Sequence, residues 1–230
     1  MYFCSIGGLR TLFEVLRDKK FGPLRLELFD FIHELISSSE IILQIFIGID
    51  GLQLIMEILS LEITDGACIK AVFLLRFVLD SLPSMARRDF CHSLVNKDVI
   101  AFLVFHFSSK SKKISSNADL CTLKTNILEI LNIFAVSDSF VREQISKKSC
   151  LKTFIAEIPM LECSFLLLAL RFVKNLSISS TCLTNLEKYG LLDKLLSLLS
   201  ENVANVLFLN LLLGCIVPSN ISRLSICKVQ

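Results

Sequence analysis

The stretch Gly51-Leu52-Gln53-Leu54-Ile55-Met56-Glu57-Ile58-Leu59 sets apolar side chains at Leu52, Ile55, Met56 and Leu59. Steps of three, four and seven residues trace one stripe of an α-helix, because 3.6 residues make a turn. The same pattern recurs without gaps in Gly8–Leu16, Val99–Phe107, Cys150–Ile158 and Leu191–Leu199. The anchors Leu9, Leu52, Ile100, Leu151 and Leu192 lie 43, 48, 51 and 41 residues apart. A unit of that length repeated along a chain predicts stacked helices, each burying its stripe against its neighbours.

Working outward from the anchors, a second helix is predicted in each interval: Leu24–Ile36, Cys68–Ser81, Leu123–Val136, Phe165–Ser177 and Val203–Cys215. Shorter helices at Ser139–Lys147 and Thr181–Tyr189 lead into the last two anchors. The fold expected is all-α, a right-handed α-solenoid of about five repeats, forming a single domain over residues 1–230. Residues 107–118 form a looped-out insertion in that scheme, because Ser108–Asn117 is polar and has no periodicity. The first anchor follows so soon on Met1 that its unit is either an abbreviated cap or the start of a piece cut from a longer polypeptide.

The spacing is close to the roughly 40 to 47 residues of armadillo and HEAT units. Leu170-Arg171-Phe172-Val173-Lys174-Asn175-Leu176-Ser177, followed by Leu183 to Leu192 with its small-residue turn at Gly190, resembles an armadillo repeat. A narrower resemblance runs from Gly7 to Leu103. It rests on Gly7-Gly8-Leu9, Gly51-Leu52 and Arg87-Arg88-Asp89-Phe90-Cys91 leading to Val99-Ile100 and Leu103. This resembles the non-catalytic armadillo region of plant MAP kinase kinase kinase epsilon and the fungal septation and mitotic-exit kinases. The resemblance implies an arm that positions signalling machinery around cell division. The tryptophan those kinases often carry before the Arg-x-Asp-Phe-Cys run has no counterpart, since the chain contains none. Arg88-Asp89-Phe90 is followed by Cys91 where a kinase Asp-Phe-Gly has glycine, and no glycine-rich loop or catalytic-loop His-Arg-Asp accompanies it.

Composition agrees with helices. Of 230 residues 53% are apolar and 20% charged, with only eight glycines and four prolines, which excludes disorder, collagen and turn-dense sandwiches. The 24 basic and 22 acidic residues nearly cancel, so no basic face for nucleic acid is expected. Nine cysteines, an odd number with no Cys-x-x-Cys, read as reduced buried thiols. The N-terminus lacks the basic and continuous apolar regions of a secretory signal, so the expected compartment is cytoplasmic. Ile41–Leu61 is interrupted by Gln44, Asp50, Gln53 and Glu57 and is expected as two helices meeting near Gly48–Gly51 rather than one membrane span. Val203–Val217, at 15 residues, is expected as a buried solenoid helix.

No constellation for chemistry emerges. His33, His92 and His106 fall on different predicted helices, and the adjacent Cys91-His92 point about 100° apart, so no metal site is expected. Glu57, Glu129, Glu157 and Glu162 have no second acid at catalytic spacing. The expectation is a non-enzyme without cofactor. Its working surface is placed on the anchor helices, at positions off the apolar stripe: Arg10, Glu14 and Arg17; Gln53 and Glu57; Phe105; Lys152 and Thr153; Asp193, Lys194 and Ser197. The partner expected there is a protein or peptide segment. Two other readings stand beside it: an architectural segment that docks on flanking repeats or on a second copy, and a helical lipid- or ligand-binding protein.

Overall fold

A computed structural model describes residues 2–60, 66–108 and 117–201. All regular structure among them is helical. In chain order the helices are α1 (Tyr2–Ser5), α2 (Gly8–Arg17), α3 (Arg25–Ser38), α4 (Glu40–Gly48), α5 (Gly51–Ser60), α6 (Gly66–Ser81) and α7 (Ser84–Asn96). They continue as α8 (Val99–Phe107), α9 (Asn117–Ser137), α10 (Ser139–Ser146), α11 (Cys150–Glu157), α12 (Cys163–Leu176), α13 (Ser180–Lys188) and α14 (Leu191–Glu201). Short 3-10 segments at Lys19–Leu24 and Ile158–Met160 join α2 to α3 and follow α11. The recurring order is a long helix (α3, α6, α9, α12), a shorter one (α4, α7, α10, α13) and an anchor helix (α5, α8, α11, α14), with α2 as the first anchor helix.

The helices expected between anchors are present to within a few residues at Arg25–Ser38, Gly66–Ser81 and Cys163–Leu176. The third begins earlier than its apolar pattern, at Asn117. Val203–Cys215 lies outside the described residues, as does the 109–116 part of the expected insertion. At its edges Phe107 still belongs to α8 and Asn117 already opens α9. The Ile41–Leu61 stretch is two helices, α4 and α5, bent by 66°. One described helix, Ala118–Ser137 within α9, is long and apolar enough to cross a bilayer by length and composition. Its Leu123, Ile127, Leu131 and Phe134 are all fully buried.

The chain forms two compact units. The described residues of the first are 2–60, 66–87 and 117–130; those of the second are 88–108 and 131–201. In the first, α2 packs on α3 and α5, and α6 packs on α3 and α5. Phe13 and Phe46 meet edge to face at 5.5 Å in its core, a contact that adds about 0.5–1.5 kcal/mol to the burial of the rings. In the second, α8 packs on α11 and α11 on α14. A chain of rings, Phe107 to Phe154 at 5.3 Å and Phe154 to Phe172 at 5.4 Å, runs through its core.

The anchor stripe decides which face each helix buries. Leu52, Ile55, Met56 and Leu59 are buried, as are Ile100, Leu103, Val104 and Phe107, and Leu151, Phe154, Ile155 and Ile158. Leu9, Phe13 and Leu16 are buried in the first anchor helix, with Leu12 half-buried. The fifth differs from expectation: Leu192 and Leu196 are 43% and 51% exposed, and the buried set is Leu191, Leu195 and Leu198. Paired leucines there offer two helical stripes one residue apart, and packing selects the earlier one.

Four of the five anchor helices are entered through a left-handed residue: Gly7 (φ 84°), Asp50 (φ 63°), Asp98 (φ 58°) and Gly190 (φ 79°). The fourth uses Ser149 in the ordinary helical region (φ −60°). A single left-handed residue reverses the chain within a few bonds, and glycine and aspartate adopt it more readily than other residues. At other turns arginines close helix ends. Arg87 Nη2 donates to the carbonyls of Asp80 and Leu82, both at 2.9 Å. Arg142 Nη1 donates to Ala135 O at 3.2 Å, and buried Arg25 Nε to Leu16 O at 3.1 Å. Each places a cation against the unsatisfied carbonyl end of α6, α9 or α2.

Candidate interaction surfaces

The residues expected to line the working surface lie at or near the protein surface. Arg10, Glu14, Arg17, Gln53, Lys152, Thr153, Asp193 and Lys194 are exposed, and Glu57 and Ser197 are half-buried. Phe105 is 67% exposed, with its ring edge-on to His106 at 5.4 Å. Three of these residues are brought together in the first unit: Arg17 Nε contacts Glu57 Oε2 at 2.6 Å, and Gln53 Nε2 donates to Glu57 Oε1 at 3.3 Å. In the second unit Ser197 Oγ donates to Lys194 O at 2.8 Å within α14. No described polar contact joins Phe105, Lys152 and Thr153, and Asp193 across α8, α11 and α14.

A second row of side chains, outside the surface expected on the anchor helices, lies on the long helices. In the first unit Lys70 of α6 pairs with Asp30 of α3. The His33 ring stands against Phe73 at 5.0 Å and Phe77 at 4.7 Å. On the other flank of α6, Arg76 Nη1 contacts Asn126 Oδ1 at 2.8 Å and Glu129 Oε2 at 2.6 Å, while its Nε lies 3.4 Å from Asp80 Oδ2. Asn126 is buried although polar, so its hydrogen bond to Arg76 offsets the cost of desolvating it. In the second unit Asn132 Nδ2 of α9 donates to Leu168 O of α12 at 3.0 Å. The exposed side chains of α12 include Leu167, Arg171 and Lys174. The available signal was the isolated charged or polar residue in otherwise apolar helices, Lys70, Arg76 and Asp80 in α6 and Asn126 and Glu129 in α9, which marks a polar contact without naming its partner.

One further polar cluster sits in the second unit. His92 Nε2 contacts Asp138 Oδ2, its ring lies over Phe140 at 4.7 Å, and Asp138 Oδ1 caps α10 by accepting from Val141 N at 2.9 Å. Burial alone would raise the Asp138 pKa, but the Val141 amide, His92 and Arg88 together hold it below the ordinary aspartate value. Cys91 is fully buried beside this cluster in sequence. Burial pushes the Cys68 thiol up to about 12 and raises that of Cys150, the opposite of nucleophile activation. Among the described residues no three metal-ligating side chains converge.

Solved structures share this arrangement of helices. A designed armadillo repeat protein in complex with the peptide (KR)4 superposes with a TM-score of 0.69 at 15% identity, covering 94% of this chain and 83% of that one. The chain has the armadillo-repeat solenoid fold. An engineered protein solved by the Northeast Structural Genomics Consortium matches with a TM-score of 0.66 at 15% identity, over 93% of this chain and 81% of its own. No protein-family model matches the chain. Among curated proteins, cytokinesis protein sepH of Aspergillus niger is 25% identical over 202 residues, covering 87% of this chain. Cytokinesis protein sepH of Emericella nidulans is 26% identical over 202 residues, again covering 87%. The chain spans 15% of the length of these relatives.

Proposed function

We propose that this chain is a non-catalytic scaffold in the cytoplasm that holds a protein or peptide segment on rows of its repeat helices. The observation that carries the reading is the regular exposure of polar and aromatic side chains off a buried stripe, repeated from helix to helix. A folded core that is paid for entirely by the inner stripe leaves these outward positions free to vary with a ligand. Two comparisons support it: the designed armadillo neighbour is in complex with a peptide, and the curated relatives carry the name of a cytokinesis protein. With the resemblance of Gly7–Leu103 to the arm of septation kinases, they favour a place in kinase signalling linked to cell division. In that setting the chain is the arm that positions the machinery and leaves phosphoryl transfer to another domain.

The surface on the anchor helices, centred on Arg17, Gln53 and Glu57 with Phe105 in the second unit, is one part of the proposed contact area. The test is affinity capture from native cells with the wild-type chain, with Glu14→Lys/Glu57→Lys, and with Phe105→Ser. Loss of the same identified partner from the variants, with helical circular dichroism unchanged, supports the reading. Equal recovery of every partner by all three proteins counts against it.

A further inference from the structure

Resting on that scaffold reading, α12 shows what kind of segment one face of the second unit fits. Its inner side is fixed: Ala169, Leu170, Phe172, Val173 and Leu176 are at most 1% exposed, and the carbonyl of Leu168 accepts from Asn132 of α9 at 3.0 Å. The outer side carries Leu167, Arg171 and Lys174 at steps of four and three residues, all exposed, with Ile178 four further on, just past the end of the helix. Leu167 is 43% exposed and Ile178 65%. Val136, four residues beyond Asn132 and so on the same side of α9, is 61% exposed. Among the described residues Arg171 and Lys174 have no ion-pair partner. Three acids of this unit are engaged elsewhere, Asp98 by Lys148, Asp138 by His92 and Glu157 by Ser108. Like charges one turn apart repel each other and gain nothing for the helix that carries them. The stripe therefore presents two uncompensated cations between apolar side chains.

Steps of four, three and four residues keep to one side of a helix, as in the seam of a two-helix coiled coil. A partner helix packed alongside α12 meets the stripe with its own side chains at the same steps, and complementarity fixes their types as apolar, acidic, acidic and apolar. The eleven steps from Leu167 to Ile178 span about 16 Å, three turns of helix. The pattern reads the same in both directions, so parallel and antiparallel partners fit alike. We infer that α12 docks an acidic amphipathic helix of a partner protein. Its two carboxylates meet Arg171 and Lys174, and its apolar residues cover Leu167 and Ile178. Moving the acids by two residues turns them by about 200°, to the far side of that helix and away from both cations.

The probe is the acetylated, amidated peptide Ala-Gln-Leu-Ala-Gln-Ala-Glu-Gln-Ala-Glu-Ala-Gln-Ala-Leu-Gln-Ala, titrated into the isotope-labelled chain while backbone amide shifts are followed by NMR. Expected are saturable shifts centred on α12, weakening as salt rises. Arg171→Gln/Lys174→Gln is expected to weaken binding about fivefold, the scale of two exposed ion pairs. A peptide of the same composition, with each glutamate moved two positions toward its nearer leucine, is expected to lose a similar factor on the wild-type chain. Arg171→Glu/Lys174→Glu is expected to recover the affinity for a peptide with lysine in place of both glutamates. No saturable binding into the millimolar range, shifts centred away from α12, unchanged affinity in the glutamine variant, equal affinity for the displaced-glutamate peptide, or no recovery on exchanging the charges would each overturn the inference. Partner capture that survives Arg171→Gln/Lys174→Gln while being lost in Glu14→Lys/Glu57→Lys would sink this inference and leave the scaffold reading standing. Recovery unaffected by any of these variants would sink the scaffold reading itself.

Discussion

Replacing Gly190 by alanine isolates the contribution of the left-handed entrance to an anchor helix. A methyl group there would meet no atom within 4 Å, so no clash contributes and the whole effect comes from the backbone at φ 79°. Holding a residue with a Cβ in the left-handed region costs about 1–2 kcal/mol. Alanine also narrows the unfolded ensemble, which returns about 0.4–1 kcal/mol. The net expectation for Gly190→Ala is a loss of up to about 1.6 kcal/mol, centred near about 0.8 kcal/mol. Gly48→Ala is the matched control: its methyl also meets nothing within 4 Å, and Gly48 is the last residue of α4 without a positive φ. Only the unfolded-state effect remains there, so that variant gains about 0.4–1 kcal/mol.

The assay is urea and thermal unfolding followed by circular dichroism at 222 nm on the two variants and the parent. For a chain of this size 1 kcal/mol moves the melting midpoint by about 2–4 °C, so the two variants should bracket the parent by several degrees. If Gly190→Ala melts above the parent, the left-handed turn is not what shapes the entrance to α14. If Gly48→Ala falls by as much as Gly190→Ala, glycine at these joints acts through something other than φ.

Four other outcomes follow from the same packing and charge. Phe154→Ala, which removes the middle ring of the Phe107–Phe154–Phe172 chain, should cost about 3–5 kcal/mol in denaturant unfolding. Because the folded-state pKa of Asp138 is lowered, its contribution is present above the unfolded value of about 3.9 and is lost as pH falls through the folded value. Asp138→Asn should therefore flatten the acid limb of the stability profile below about pH 4, while Asp138→Ala should also lose about 1 kcal/mol of helix capping at neutral pH. A double-mutant cycle on Arg17→Ala and Glu57→Ala should give a coupling of only about 0.2–1 kcal/mol, since both groups are exposed enough for solvent to screen them. Iodoacetamide at pH 8 should label exposed Cys121 and Cys163 in the native chain and spare Cys68, read by peptide mass mapping with full labelling in urea as the reference.

The repeat and its helices were readable because burial writes itself into periodicity. A stripe such as Ile100, Leu103, Val104 and Phe107 has few ways to fold other than as one face of a helix. Where periodicity was doubly satisfied, as in the leucine pairs of α14, sequence could not choose between Leu191 and Leu192, and the choice fell to packing. The left-handed aspartates were legible only at half strength. Gly7 and Gly190 announce a turn, whereas Asp50 and Asp98 occupy the same conformation with a residue common on any surface. Partners in sequence-distant pairs, Lys70 with Asp30 or Arg76 with Glu129, carry no local signature at all. Their separations of roughly one repeat are set by how successive long helices stack.

That difference explains why the working surface is harder to read than the fold. A buried position has to satisfy shape and hydrophobicity at once, and each error costs several kcal/mol. An exposed position costs a few tenths whichever polar residue fills it, so its identity records a partner rather than the core.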